Sequence, residues 1–216
     1  MRTNGELNLD GAVMNKIPVR YDPVGFKRLF VPSFSMTIVA LIILSISSYS
    51  LSLFGKLDLL SISVSMTAVI FIYAMVHWLT SHSWFSTREM RELNKVLIDL
   101  FKGLSWPQMI LLSISAGIGE ELLFRGLLQT WLVSHVSPLW GIAAASLVFG
   151  LLHYINASYV LLTFFLGCIF GIAYHLTDSL LLVMAAHTFY DIIAFGVIVK
   201  YPHLLKTEPP NSGFSA

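Results

Sequence analysis

The sequence predicts an all-α fold, a polytopic membrane helix bundle of about six spans plus one interfacial amphipathic helix. Three observations carry this reading. Apolar runs of span length recur along most of the 216 residues. Hydrophobic residues make up 56% of the chain and charged residues 12%, with a mean hydropathy of +0.76, whereas an ordinary soluble domain is roughly 25% charged. The 13 Lys and Arg fall mostly outside the apolar runs.

The first 28 residues are polar and are followed by a long apolar run, which suggests a cytosolic N-terminal tail (1–28) and no cleavable signal peptide. Spans are expected over 29–54 and 57–79, with Gly55 and Lys56 forming a tight turn between them. Between Ser81 and Ser105, Arg88, Glu89, Arg91, Glu92, Lys95, Asp99 and Lys102 alternate with Leu93, Val96, Leu97, Leu100 and Phe101 at helical spacing. That pattern predicts an amphipathic helix at the membrane surface. Further spans are expected over 106–132, 139–154, 158–176 and 179–200, completing a transmembrane domain at 29–200. The tail at 201–216, with Pro209, Pro210, Asn211, Ser212 and Gly213, is expected to be disordered.

Trp78, Trp84, Trp106, Trp131 and Trp140 fall at or near expected span ends, as an interfacial aromatic belt requires. With a cytosolic N-terminus and six spans, Arg2, Lys16, Arg20, Lys27, Arg28, Arg88, Arg91, Lys95, Lys102, Lys200 and Lys206 lie inside and Lys56 alone outside. Both termini are therefore expected in the cytosol, with the bundle in the cell membrane. Gly167 and Gly171 have the spacing of a close helix contact. The net charge of +1, with no concentrated basic surface, argues against nucleic acid as a partner. The lone Cys168 excludes an internal disulfide and a cysteine-based zinc cluster, and it reads as a small packing residue.

Charge at bilayer depth costs at least roughly 2.5 to 3.5 kcal/mol per residue, so a cluster of it demands a reason. Gly117 to Gly126 places Glu120, Glu121 and Arg125 inside an apolar run. On a helix, Glu121 and Arg125 are four apart and can pair, as a strut or as part of a reacting site, while Glu120 turns roughly 100° away and is left free. His153 lies four residues after Phe149 and His187 four before Asp191, on later spans. A free carboxylate and two imidazoles from three helices can activate one water for hydrolysis without a covalent intermediate. There is no serine nucleophile elbow and no HExxH motif. Phe149 and His175 read as packing residues, Asp178 as a capping residue in a turn, and His77, His82, His135 and His203 as interfacial or loop residues.

The pattern E-E-x-x-x-R at Glu120, Glu121 and Arg125, then F-x-x-x-H at Phe149 and His153, then H-x-x-x-D at His187 and Asp191, resembles the CPBP family of intramembrane proteases. That family contains the type II CAAX prenyl endopeptidases and the bacterial Abi proteins. The resemblance covers roughly 105–200, with all three motifs in order. It implies cleavage of a peptide bond at or within the membrane, in a membrane-associated peptide or protein that is prenylated for the eukaryotic members. It also implies that Glu120 and His153 activate the water and that His187 and the residue at Asp191 stabilise the oxyanion, with Glu121, Arg125 and Phe149 in support. Related proteins often carry asparagine where this chain has Asp191. An ionised carboxylate there would repel an oxyanion, so Asp191 is read instead as the orienter of His187.

The family has been described both as metalloproteases and as glutamate proteases. A divalent metal such as zinc, if bound, would take Glu120, His153 and His187 as ligands. The reading adopted is the metal-free one, because the chain has no compact ligand motif. Two other classes compete: a proton-coupled transporter, which the chain's lack of matching halves disfavours, and a catalytically silent membrane scaffold such as a bacteriocin self-immunity protein. Straight spans would not bring Glu120, His153 and His187 together. A tilted or interrupted helix near Gly117 and Gly119, beside a water-filled cavity, is therefore expected.

Overall fold

The computed structural model describes residues 25–47, 51–81 and 87–207, and they form an all-α bundle with no strand among them. Most of the N-terminal tail, the end of the C-terminal tail and the residues His82 and Trp84 lie outside the described residues, as do the basic residues Arg2, Lys16 and Arg20.

The first helix, α1 (Phe26–Ile46), ends well before the expected boundary. Residues 51–58 run as irregular chain rich in bends. Two of its carbonyls have a use: Leu180 N donates to Ser52 O and Leu181 N to Leu53 O, which satisfies the exposed amides that begin the last long helix. The turn at Gly55 takes a positive φ of 39° and sits against the Thr177 and Asp178 carbonyls, where no Cβ would fit. Asp58 then caps α2 (Leu59–Ser81) by accepting from Ser61 N, a hydrogen bond that holds its carboxyl below the ordinary carboxylate range.

Helix α3 (Arg88–Phe101) is the amphipathic helix of the sequence reading. Thr87 caps it, Leu93 and Asn94 are buried, and Phe101 packs its ring 4.6 Å from Phe195. Asn94 Nδ2 donates to Lys206 O across the start of the C-terminal tail. That start is ordered: Pro202–Leu204 forms a 3₁₀ turn, so disorder is not a property of 201–207.

A long rod follows, made of α4 (Trp106–Glu121), a π-helical segment (Leu122–Gln129) and α5 (Thr130–His135). Then come α6 (Pro138–Leu152), α7 (Ala157–Thr177) and α8 (Leu180–Lys200). Helix α4 packs between α1 and α8, α6 pairs with α7, and α2 lies against α8. Four helices, α1, α2, α7 and α8, are long and apolar enough to cross a membrane, which makes this an integral membrane protein.

Gly117 and Gly119 lie in regular α-helix, not at an interruption. Their role is close approach: a Cβ on Gly117 would collide with Thr188 and Met184 of α8, and one on Gly119 would fall 2.6 Å from Thr37 Oγ1 of α1. The interruption comes after Glu121, as the π-helical turns. There Thr130 Oγ1 donates to the carbonyl of Arg125, five residues back.

Candidate active site

Helix lengths explain how the three motifs meet. Glu120 is fourteen residues beyond Trp106 and His187 is thirteen before Lys200, about 21 and 20 Å at 1.5 Å per residue. Those two helix ends are level, because Lys200 Nζ donates to Leu104 O and Gly196 faces the Trp106 ring. At the opposite end of the rod, Glu120 is fifteen residues before His135, and His153 is fifteen after Pro138. Helix α6 has only 15 residues, about 22 Å, too short for a hydrocarbon layer of about 30 Å. It ends at Leu152 and leaves His153 as its C-cap. The mismatch expected from straight spans therefore disappears, because the end of α6 brings His153 level with Glu120.

The side chains converge on Glu120. Its Oε2 is 3.7 Å from His153 Nε2 and 3.9 Å from His187 Nε2, and His187 Nε2 is 3.7 Å from Asp191 Oδ2. These gaps are too long for direct hydrogen bonds and short enough for one bridging water. Behind this space lies a tightly bonded layer. Glu121 Oε1 accepts from Arg125 Nη1 at 2.9 Å and from His187 Nδ1 at 2.7 Å. Arg125 Nη2 donates to Gly167 O on α7, and Gln129 Nε2, four residues on, donates to Gly171 O. The π-helical segment thus presents two donors, one turn apart, to two carbonyls one turn apart, and the glycines of α7 let the helices come close enough.

Aromatic rings wall the cluster. The Arg125 guanidinium lies over Phe149 at 4.8 Å and over Phe170 at 5.8 Å. Phe149 also packs 4.4 Å from the His153 ring, and Phe170 stacks on His187 at 5.1 Å. Phe149 is therefore a packing residue that fixes both Arg125 and His153.

Hydrogen-bond partners assign the imidazole protons. His153 Nδ1 is 2.8 Å from the Phe149 carbonyl, which can only accept, so Nδ1 carries a proton and Nε2 is the nitrogen turned toward Glu120. His187 Nδ1 likewise donates to Glu121, leaving Nε2 toward Glu120 and Asp191. The orienting hydrogen bond on His187 comes from Glu121. Asp191 Oδ2 stands on the other side of the ring, 3.7 Å from Nε2 and beyond hydrogen-bond distance.

Two Nε2 lone pairs and a carboxylate are suitable zinc donors by type. Their placement is another matter. Donors around a tetrahedral zinc are about 3.3 Å apart for bonds of about 2.0 Å, and the pairs here are separated by 3.7 and 3.9 Å. Among the described residues no group of three or more His, Cys, Asp and Glu is arranged to hold a metal ion. The arrangement does not fit zinc, and no step below passes through one.

A cavity of about 150 Å³ opens from this cluster. Its inner end is lined by His153, Tyr159, His187 and Asp191, and its outer limb runs past Leu97 and Phe101 of α3 and Phe195 and Ile198 of α8. The limb is predominantly apolar, and it extends for eleven residues of α8, about 16 Å.

Sequence reasoning missed Gln129 and Tyr159. Gln129 carried a signal, being a polar residue in an apolar run at the spacing that already links Glu121 to Arg125. Tyr159 carried none, since tyrosine is ordinary at a helix start near a membrane.

Residues 102–193 match the family model described as "Type II CAAX prenyl endopeptidase Rce1-like". The chain is 30% identical over 150 residues to a protein of Bacillus subtilis (strain 168) described as "Uncharacterized protein YpbD". That alignment takes in 68% of this chain and 71% of the relative. No solved structure matches the chain.

Proposed function

The chain belongs to the Rce1-like family of type II CAAX prenyl endopeptidases, an intramembrane protease family, and from that premise we propose that it hydrolyses a peptide bond in a lipid-bearing, membrane-attached substrate. The observation that carries the proposal is the position of Glu120 Oε2, 3.7 and 3.9 Å from the Nε2 atoms of two histidines that line an apolar cavity.

A water in this space donates one hydrogen to Glu120 Oε2 and the other to His153 Nε2. Glu120 takes the proton as the water oxygen bonds to the carbonyl carbon. The peptide C–N bond then breaks, and the same proton passes from Glu120 to the departing amine. His187, anchored at Nδ1 by Glu121, presents Nε2 to the opposite side of the reacting carbonyl. When that nitrogen also carries a proton, it donates to the oxyanion, with the Glu121 carboxylate balancing the imidazolium charge. The apolar limb beside α3 and α8 suits the hydrocarbon of a prenylated substrate. Both termini on the cytosolic side of the cell membrane complete the reading. The basic residues of α3 and Lys200 support that orientation.

The test is turnover of an internally quenched farnesylated CAAX peptide by the purified full-length chain in phospholipid vesicles. Cleavage by the wild type and none by Glu120→Gln, at an equal unfolding temperature, is the expected result. Equal turnover by both proteins, or no turnover by the wild type on any lipidated peptide, overturns the proposal.

A further inference from the structure

A count of donors at the reacting space exposes a shortage. The Nδ1–H of His153 is committed to Phe149 O, and that of His187 to Glu121. What faces the space is Glu120 Oε2, Asp191 Oδ2 and two Nε2 atoms; a carboxylate oxygen and an imidazole nitrogen without its proton only accept. A tetrahedral intermediate needs hydrogen-bond donors aimed at its oxygen, and a second proton on His187 supplies only one.

Five hydroxyl side chains line the cavity: Tyr73, Thr80, Tyr159, Thr163 and Tyr190. Thr80 donates to Val76 O and His77 O of its own helix, and Thr163 to Tyr159 O and Val160 O. Tyr73 stands on α2, and Tyr190 packs edge-on against it at 5.9 Å. Tyr159 differs. Its ring meets the His153 ring edge-on at 6.3 Å and its phenol interacts electrostatically with both Glu120 and Asp191, whereas Tyr190 meets only Asp191 of the two; the hydroxyls of all three tyrosines have no hydrogen-bond partner among the described residues.

Tyr159 is also held in place. It is the third residue of α7, where its backbone N–H donates to Asn156 Oδ1, and Asn156 Nδ2 in turn donates to Glu89 O of α3. A donor fixed by a cap and a neighbouring helix needs little reorganisation when charge develops beside it.

We propose that Tyr159 is a further catalytic residue, whose hydroxyl donates a hydrogen bond to the oxyanion of the tetrahedral intermediate. The assignment rests on the water-activation reading above. The phenol keeps its proton throughout, so no atom or electron is transferred, and its contribution is confined to the transition state.

The test compares wild type, Tyr159→Phe, Tyr154→Phe and Glu120→Gln in vesicles with the same farnesylated peptide. Tyr154 is an exposed phenol outside the cavity and serves as the control. Tyr159→Phe is expected to lower kcat about 100-fold, with KM and unfolding temperature unchanged and Tyr154→Phe at wild-type turnover. A peptide aldehyde, bound as its tetrahedral hydrate, should lose affinity for Tyr159→Phe by a similar factor, while the uncleaved amide binds equally to both. Wild-type kcat in Tyr159→Phe beside an inactive Glu120→Gln overturns this assignment and leaves water activation standing. A raised KM at constant kcat also overturns it, since the hydroxyl would then serve ground-state binding. Full turnover by Glu120→Gln, or a wild type that cleaves nothing, removes both.

Discussion

Glu121 Oε1 lies 2.7 Å from His187 Nδ1 and 2.9 Å from Arg125 Nη1, so a single oxygen on α4 holds the arginine of its own rod and the histidine of α8. The pairing of Glu121 with Arg125 can be read from their spacing. The tie to His187 turns that strut into the support of the reacting space.

Glu121→Gln leaves Arg125 buried without its charge partner and His187 without an anionic acceptor. Stability is expected to fall by about 3 kcal/mol, and turnover by roughly 10- to 100-fold, as for other groups that orient a reacting histidine. Thermal unfolding in detergent checks the first, and peptide cleavage below the unfolding range checks the second. A variant matching Glu120→Gln in both measurements would contradict the division of labour between the two carboxylates.

Asp191→Asn is expected to keep His187 in place, because the carboxylate stands 3.7 Å from Nε2, beyond a hydrogen bond, and the orienting contact is on Nδ1. Replacing an anion by a neutral amide also removes repulsion toward a developing oxyanion. Turnover should therefore stay within about threefold of the wild type or rise. A loss as large as that of Glu121→Gln would return the orienting role to Asp191.

Gly117→Ala and Gly119→Ala separate packing at the site from packing away from it. The first pushes on Thr188 and the Met184 carbonyl, next to His187, and the second on Thr37 and Ser33 of α1. Each is expected to lower stability by about 1 to 3 kcal/mol. Only Gly117→Ala should also lower kcat at a temperature where the variant is fully folded. Equal kinetic effects would show that α1 and α8 move as one body.

Prolonged dialysis against a chelator is expected to leave turnover unchanged, given donor separations longer than zinc coordination requires. The measurement is peptide cleavage before and after dialysis, with metal content read by mass spectrometry. Activity lost to chelation and restored by zinc would require the histidines and Glu120 to draw together around an ion.

The motif residues, the Glu121 and Arg125 spacing, the amphipathic helix near 88–101 and the membrane character were all readable from the chain, because each follows from composition or from periodicity within one helix. What needed the tertiary structure was depth and direction. Glu120 Oε2 comes within 3.7 and 3.9 Å of the Nε2 atoms of His153 and His187 on two other helices, the π-helical turns come after Glu121 instead of at Gly117 and Gly119, and His187 donates its Nδ1 hydrogen bond to Glu121 instead of to Asp191, its neighbour in sequence. Tyr159 reaches the site from a helix whose sequence gave no hint of it. The physical reason is that periodicity specifies the face of one helix, while the distance between residues on different helices depends on where each helix ends and how closely its glycines let it approach the next.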